Sequence, residues 1–167
     1  MQGSPGYKVT FESIRRLTIE CYALASSAHL LLRDEGNAPP SDRTQSLYEE
    51  IFSEKLLQLA ISIRTRFYQG ADHRRTSGFM EQTGELFKWV SGQDEAAHPY
   101  TLKDVCDKII HANTVFIESF MSSENTFIAL SGEHRIAGQI QGWAMNIFPI
   151  DLCEGILGWL DTIEEEM

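Results

Sequence analysis

Residues 126–151, TFIALSGEHRIAGQIQGWAMNIFPID, decide how the chain closes on itself. The first five residues are rich in apolar and β-branched types, which favours a strand, and a turn is predicted at residues 131–134. In the run 137–148 the pattern alternates, so the hydrophobic period changes from 3.6 residues to about 2. This segment therefore predicts the two strands of a β-hairpin.

A final helix is predicted after the hairpin. Asp151 and Glu154 have the spacing of a capping box, in which side chains satisfy the first free backbone groups of a helix. Its apolar stripe consists of Cys153, Ile156, Leu157, Leu160 and Ile163. The glutamates that follow face the negative end of the helix dipole, so we expect residues 164–167, like residues 1–9, to be loose ends.

Three more helices are predicted upstream, where apolar residues recur every three or four positions. They cover residues 11–32, with Thr10 as the N-cap, then residues 46–68 and residues 101–116. The apolar face of the second helix includes Leu47, Ile51, Leu56, Leu59, Ala60, Ile63 and Phe67. Between residues 70 and 100, glycines interrupt short apolar groups, and we predict a long, partly helical excursion.

The composition fits a single globular domain over residues 1–167. Of these residues, 43% are hydrophobic and 23% are charged, an ordinary balance for a chain with one core. The net charge of −10 disfavours non-specific attraction to nucleic acid or to an anionic membrane. No run of about 18 apolar residues occurs, so no transmembrane helix is predicted.

The cysteines and the N-terminus predict a cytoplasmic protein. Cys21, Cys106 and Cys153 are odd in number, far apart and set among apolar residues, which favours buried free thiols in a reducing compartment. No apolar stretch follows the single early Lys8, so no secretory signal is predicted.

Three segments of the chain carry a resemblance to a known family. They are TLKDVCDKIIHAN at 101–113, LAISIRT at 59–65, and an ending made of FIALSG at 127–132, Trp143 and FPIDLC at 148–153. Together they resemble bacterial HEPN-like proteins, in which a helix reading LREACNKIIHA precedes a hairpin. The resemblance implies a mainly α fold, a HEPN-like helical bundle with a C-terminal β-hairpin and a final helix.

Members of that family often pair, and the active ones cut RNA without metal through an Arg and a His separated by four to six residues. Around His111 this motif is missing, because Lys103 and Asp104 stand where an arginine is expected, and an aspartate repels phosphate. Arg66 and His73 have the spacing, but a glycine between them is expected to end the helix. The resemblance therefore implies an interaction or regulatory module, either a homodimer or a complex with another protein.

The alternative is a metal-independent ribonuclease of toxin or antiphage type, with His111 and Arg64 as catalytic residues at a dimer cleft. Histidine titrates near neutral pH, so His111 could be the general base for a ribose 2′-hydroxyl. It could instead be a polar-face residue paired with Asp107, one helical turn earlier.

The one concentrated basic segment of the sequence could contact RNA. It contains Arg64, Arg66, His73, Arg74 and Arg75, with Phe67 and Tyr68 as possible stacking platforms. Together with Lys108, the residues Arg66, Arg74 and Arg75 are the predicted binding residues. The competing interpretation is an inter-helix salt bridge at Arg64 and a solvated loop at Arg74 and Arg75.

No cofactor and no metal site are predicted. The sequence contains no GxGxxG, P-loop, GxSxG or HExxH motif, and the glutamates at 49, 50 and 54 have no histidine at metal-ligand spacing. Trp89, Trp143 and Trp159 could form a ligand cage, but aromatic residues in small bundles are more often core anchors. A small-ligand binding domain stays open as a third class of function.

Overall fold

The computed structural model describes residues 9–32, 41–69, 84–90, 93–94, 101–119 and 126–165. In these residues the order of elements is α1 (Phe11–Leu31), α2 (Asp42–Gln69), β1 (Gly84–Val90), β2 (Gln93–Asp94), α3 (Leu102–Ile110), β3 (Thr114–Ser119), β4 (Thr126–Ile136), β5 (Gln139–Ile147) and α4 (Pro149–Glu165). Helices make up most of this regular structure. The expectation of a mostly helical chain with a hairpin and a last helix is confirmed at that level.

The strands form one antiparallel sheet in the order β2-β1-β5-β4-β3. The predicted hairpin is therefore β4 and β5, at the centre of a larger sheet. Its turn lies at Ala137 and Gly138, not at residues 131–134, which continue β4. Both turn residues have positive φ, 49° and 81°, as a two-residue hairpin loop with the twist of its strands requires.

Two other segments differ from the predicted helices. α3 ends at Ile110, so the helix predicted to reach residue 116 is too long, and β3 follows it. The β-branched residues Thr114, Val115 and Ile117 favour this strand, which pairs with β4. The excursion expected to be partly helical contains β1 and β2.

The helix starts also depart in part from expectation. Thr10 caps α1 as predicted, accepting a hydrogen bond from the Ser13 amide at 3.1 Å. α4 begins earlier than the predicted capping box at Asp151, with Pro149 in its first turn, a position where the missing N–H of proline costs nothing. The capping box of the described chain is instead at the start of α3.

A single contiguous core lies between the helices and one face of the sheet. α1 packs against both α2 and α4, and α1, α3 and α4 all contact β4. Alternate residues of the central strands are buried in this core: Ile128, Leu130, Trp143, Met145 and Ile147.

The expectation of loose ends does not hold for two residues. Val9 is buried and its amide donates to Oε1 of Gln69 at 3.1 Å, which ties it to the end of α2. Glu164 lies within α4 and forms an ion pair with Arg15, with 2.7 Å between Oε2 of Glu164 and Nη2 of Arg15. Core contacts and charge pairing thus order positions that composition alone marks as frayed.

Candidate functional site

The end of α2 is joined to α3 by a group of charged and polar side chains, Arg64, Tyr68, Lys103 and Asp107, which we call the Arg64 cluster. Nε of Arg64 lies 2.6 Å from Oδ1 of Asp107, and Nζ of Lys103 lies 3.0 Å from Oδ2 of the same carboxylate. A guanidinium N–H of Arg64 donates to the Tyr68 hydroxyl at 2.6 Å. Of the two interpretations for Arg64, the structure shows the inter-helix salt bridge.

Exposure within the Arg64 cluster increases from Arg64, which is mostly buried, to Lys103, which is half-exposed. The Arg64 side chain is 14% exposed, that of Asp107 30% and that of Lys103 49%. Because Arg64 is largely removed from water, its charge interacts with Asp107 more strongly than a surface pair would. The cluster thus fixes α3 to α2 and leaves little of the guanidinium available to a ligand.

His111 lies at the C-terminal end of α3. It is the C-cap residue, its backbone amide donates to the Asp107 carbonyl at 3.0 Å, and it is exposed. Asp107 is thus bound through its side chain by Arg64 and through its main chain by His111. Arg64 of α2 therefore contacts α3 one turn before His111, while the bond from His111 to Asp107 is the ordinary backbone bond of a helix end and involves no imidazole atom.

Two predicted RNA-binding residues lie against aromatic rings of their own chain. The Lys108 ammonium is 4.2 Å from the centroid of the Trp143 ring, and the Arg66 guanidinium is 4.2 Å from that of Phe11. These cation–π contacts hold both side chains against their own chain, and the face of the Arg66 guanidinium on which a base would stack is covered by Phe11. His73, Arg74 and Arg75 lie outside the described residues.

The aromatic and thiol candidates belong to the core. Trp143 and Trp159 are buried, as the core interpretation requires, while the Trp89 side chain is not among those described. All three cysteines are buried and free, as predicted. Burial raises the pKa of the Cys21 thiol to about 12 and raises the pKa values of Cys106 and Cys153 as well, so none is a nucleophile at neutral pH.

One exposed apolar surface was not foreseen. Leu47, Ile51, Leu57, Ile61 and Tyr68 are exposed on α2, and we call them the α2 stripe. The prediction placed Leu47 and Ile51 on the buried face, which is wrong. The signal was available, since α2 has more apolar residues than one buried face of a helix can hold.

Neither a metal cluster nor a membrane-spanning helix is found in the part of the chain that the structure describes. No three His, Cys, Asp or Glu side chains there are placed to hold a metal ion. None of the described helices has the length and apolar character needed to cross a membrane. No family model, curated protein or solved structure matches this chain significantly.

Proposed function

We propose that the chain is a HEPN-like interaction or regulatory module that binds another protein chain and does not cut RNA. One observation carries this proposal: Arg64, the arginine that the ribonuclease alternative needs, is already bound by Asp107 at 2.6 Å. Two exposed features, the α2 stripe and the open side of the Arg64 cluster, supply surface for a protein contact.

The local charges oppose phosphate chemistry. Arg64 and Lys103 are both bound to Asp107, and Asp104 adds a second carboxylate on the same helix. Cleavage of a phosphodiester develops negative charge, and a preorganised donor typically contributes about 10²–10³ in rate. Here the two cations are balanced before any substrate arrives, so that contribution is lost.

A metal-independent ribonuclease is the second candidate, favoured by the shared contacts of Asp107. The Arg64 side chain of α2 contacts Asp107, which lies four residues, or about one helical turn, before His111 on α3. A ligand that displaced the Asp107 carboxylate from Arg64 would recreate an Arg and His pair of the kind that cuts RNA in the family described above.

A cleavage assay separates the two candidates. Structured and single-stranded RNA are incubated with the purified chain and a chelator, using the wild type, His111→Ala, Arg64→Ala and, as a matched control, Arg16→Ala. Arg16 is a strongly exposed arginine on α1, far in sequence from the cluster. We expect no cleavage above buffer for any of the four proteins.

Robust cleavage by the wild type and by Arg16→Ala, abolished by both His111→Ala and Arg64→Ala, would overturn the proposal. Circular dichroism of each variant shows whether a loss of activity is a loss of fold. Cleavage that survives both site substitutions would indicate a contaminating nuclease, and a repeat on chain purified by a second route would then decide the result.

A further inference from the structure

The α2 stripe has the geometry of a docking face for a helix. At about 100° per residue, its five side chains lie within an arc of about 120° on one side of α2. Their span, from Leu47 to Tyr68, is about 32 Å at 1.5 Å per residue. All five are large apolar residues with between 39% and 76% of their surface exposed. A contiguous row of this kind is unusual on a surface that only meets water.

The stripe lies on a rigid support. The opposite face of α2 is buried in the core through Tyr48, Phe52, Leu56, Leu59 and Ile63. A partner therefore meets a preformed surface, and little ordering of this chain is needed when it binds. The five exposed residues are four, six, four and seven positions apart, spacings that keep them on one side of α2, where a second helix can lie alongside.

The charged residues beside the α2 stripe indicate the charge of the helix that it can bind. Between Leu47 and Ile61 the exposed charged residues are Glu50 and Glu54, both within the arc of the stripe. Lys55 lies just outside the arc of the stripe. It does not offset the two glutamates, because its ammonium is held by Glu20 of α1 at 2.8 Å. Arg43 lies one turn before Leu47, outside the apolar span.

A second copy of this chain fits the stripe poorly. Self-pairing would bring Glu50 and Glu54 from each copy into one seam, between two molecules that each carry a net charge of −10. Arg64 could not compensate, since Asp107 already neutralises it. A helix with lysines or arginines beside its apolar residues would instead pair with both glutamates.

We infer that the α2 stripe binds a cationic amphipathic helix of another protein, with apolar residues at three- and four-residue spacing and Lys or Arg on either side. This inference rests on the proposed function, because it names the kind of partner that the interaction module takes. It places the apolar contact at Leu47, Ile51, Leu57 and Ile61 and the charge contact at Glu50 and Glu54.

The test uses two labelled synthetic peptides of about 18 residues, each about 27 Å long as a helix. Both have leucine on one face, and they differ only in carrying lysine or glutamate at the flanking positions. Fluorescence anisotropy measures their binding to the wild type, to Ile61→Asp and to Ile19→Asp. Ile19 is a control of similar exposure on α1, outside the stripe.

We expect the wild type and Ile19→Asp to bind the lysine peptide at least tenfold more tightly than the glutamate peptide. Ile61→Asp should bind the lysine peptide at least tenfold more weakly than the wild type does. The double variant Glu50→Lys, Glu54→Lys should prefer the glutamate peptide. Thermal melts confirm that these surface variants fold.

Equal binding of the lysine peptide by wild type and Ile61→Asp, or an unchanged preference in the double variant, would overturn the inference. So would sedimentation of the wild type alone as a dimer that Ile61→Asp dissociates, since a second copy would then be the occupant. Neither result concerns RNA cleavage, so the inference can fail while the non-nuclease proposal stands, and the reverse also holds.

Discussion

Gly132 and Trp143 are paired across β4 and β5, and this pair explains a glycine in the middle of a strand. A Cβ on Gly132 would lie 2.7 Å from Cε2 and 2.9 Å from Nε1 of the Trp143 indole. Trp143 is 1% exposed and its ring also contacts the Lys108 ammonium, so it has little room to move. Only glycine lets the strand approach the ring this closely.

Gly132→Ala is therefore expected to destabilise the fold by about 1–3 kcal/mol, the usual cost of overpacking a filled core. The matched control is Gly158→Ala on α4, where an added Cβ meets nothing within 4 Å. A helical glycine replaced by alanine should gain about 0.5–1 kcal/mol. Urea unfolding of both variants measures the two signs, and a neutral Gly132→Ala would show that the indole can move aside.

At the scale of elements, α3 illustrates how a short helix is held at its start. The Thr101 hydroxyl accepts from the Asp104 amide at 3.3 Å, and Asp104 accepts from the Thr101 amide at 2.9 Å. A helix of nine residues is marginal by itself, so these bonds and its packing against α2 sustain it. Asp104, considered above for its charge, thus has a structural role.

Thr101→Ala and Asp104→Ala should each lower the free energy of unfolding by about 0.5–2 kcal/mol, since each leaves a backbone amide without its acceptor. The double variant should lose less than the sum of the two, because the bonds are reciprocal. Thr162→Ala is the control, as its exposed hydroxyl only donates to a carbonyl within α4. Thermal melts that rank Thr162→Ala with the other two would contradict the capping role.

The sequence predicts an element correctly where contacts between neighbouring residues determine it. Thr10 marks the start of α1 because a cap is a contact within one turn, and the alternation of residues 137–148 marks β5. The turn predicted at residues 131–134 is wrong. Gly132 lies inside β4, and its lack of a side chain makes room for the Trp143 ring rather than for a turn. The predicted third helix runs past Ile110 because the apolar residues of β3 happen to continue its helical spacing.

The site was predictable to a similar degree. Arg64 could be singled out from the sequence, but its partner Asp107 lies on another helix, so choosing between phosphate and salt bridge needed the packing of α2 on α3. Leu47 and Ile51 fit the buried face by periodicity, and only the placement of α1 and α4 shows that nothing in the described chain covers them.

At the scale of the whole molecule, the elements share one core. Ile14 of α1, Leu56 of α2, Leu102 of α3 and Leu130 of β4 all belong to the same buried cluster as Leu160 of α4. Each buried side chain of this size contributes about 1.5–3 kcal/mol, against a typical total stability of about 5–15 kcal/mol, so we expect the loss of several elements to unfold the rest.

Truncation after residue 125, which removes β4, β5 and α4, is expected to abolish cooperative unfolding. The remaining helices would expose the residues that Leu130, Trp143 and Leu160 cover. A chain ending at Glu165 is the control and should keep the full transition. If circular dichroism of the truncated chain shows a sharp thermal transition near that of the control, the single core is disproved.

The packing of α1 against α4 has a consequence for biosynthesis. Arg15 binds Asp161 and Glu164, and Phe11 contacts Trp159, so the first helix completes its packing only when the last one exists. At about 5–20 residues per second, a ribosome needs on the order of 10 seconds to make the chain between Leu31 and Pro149. Throughout that interval the nascent protein carries an apolar helix face that a chaperone can hold.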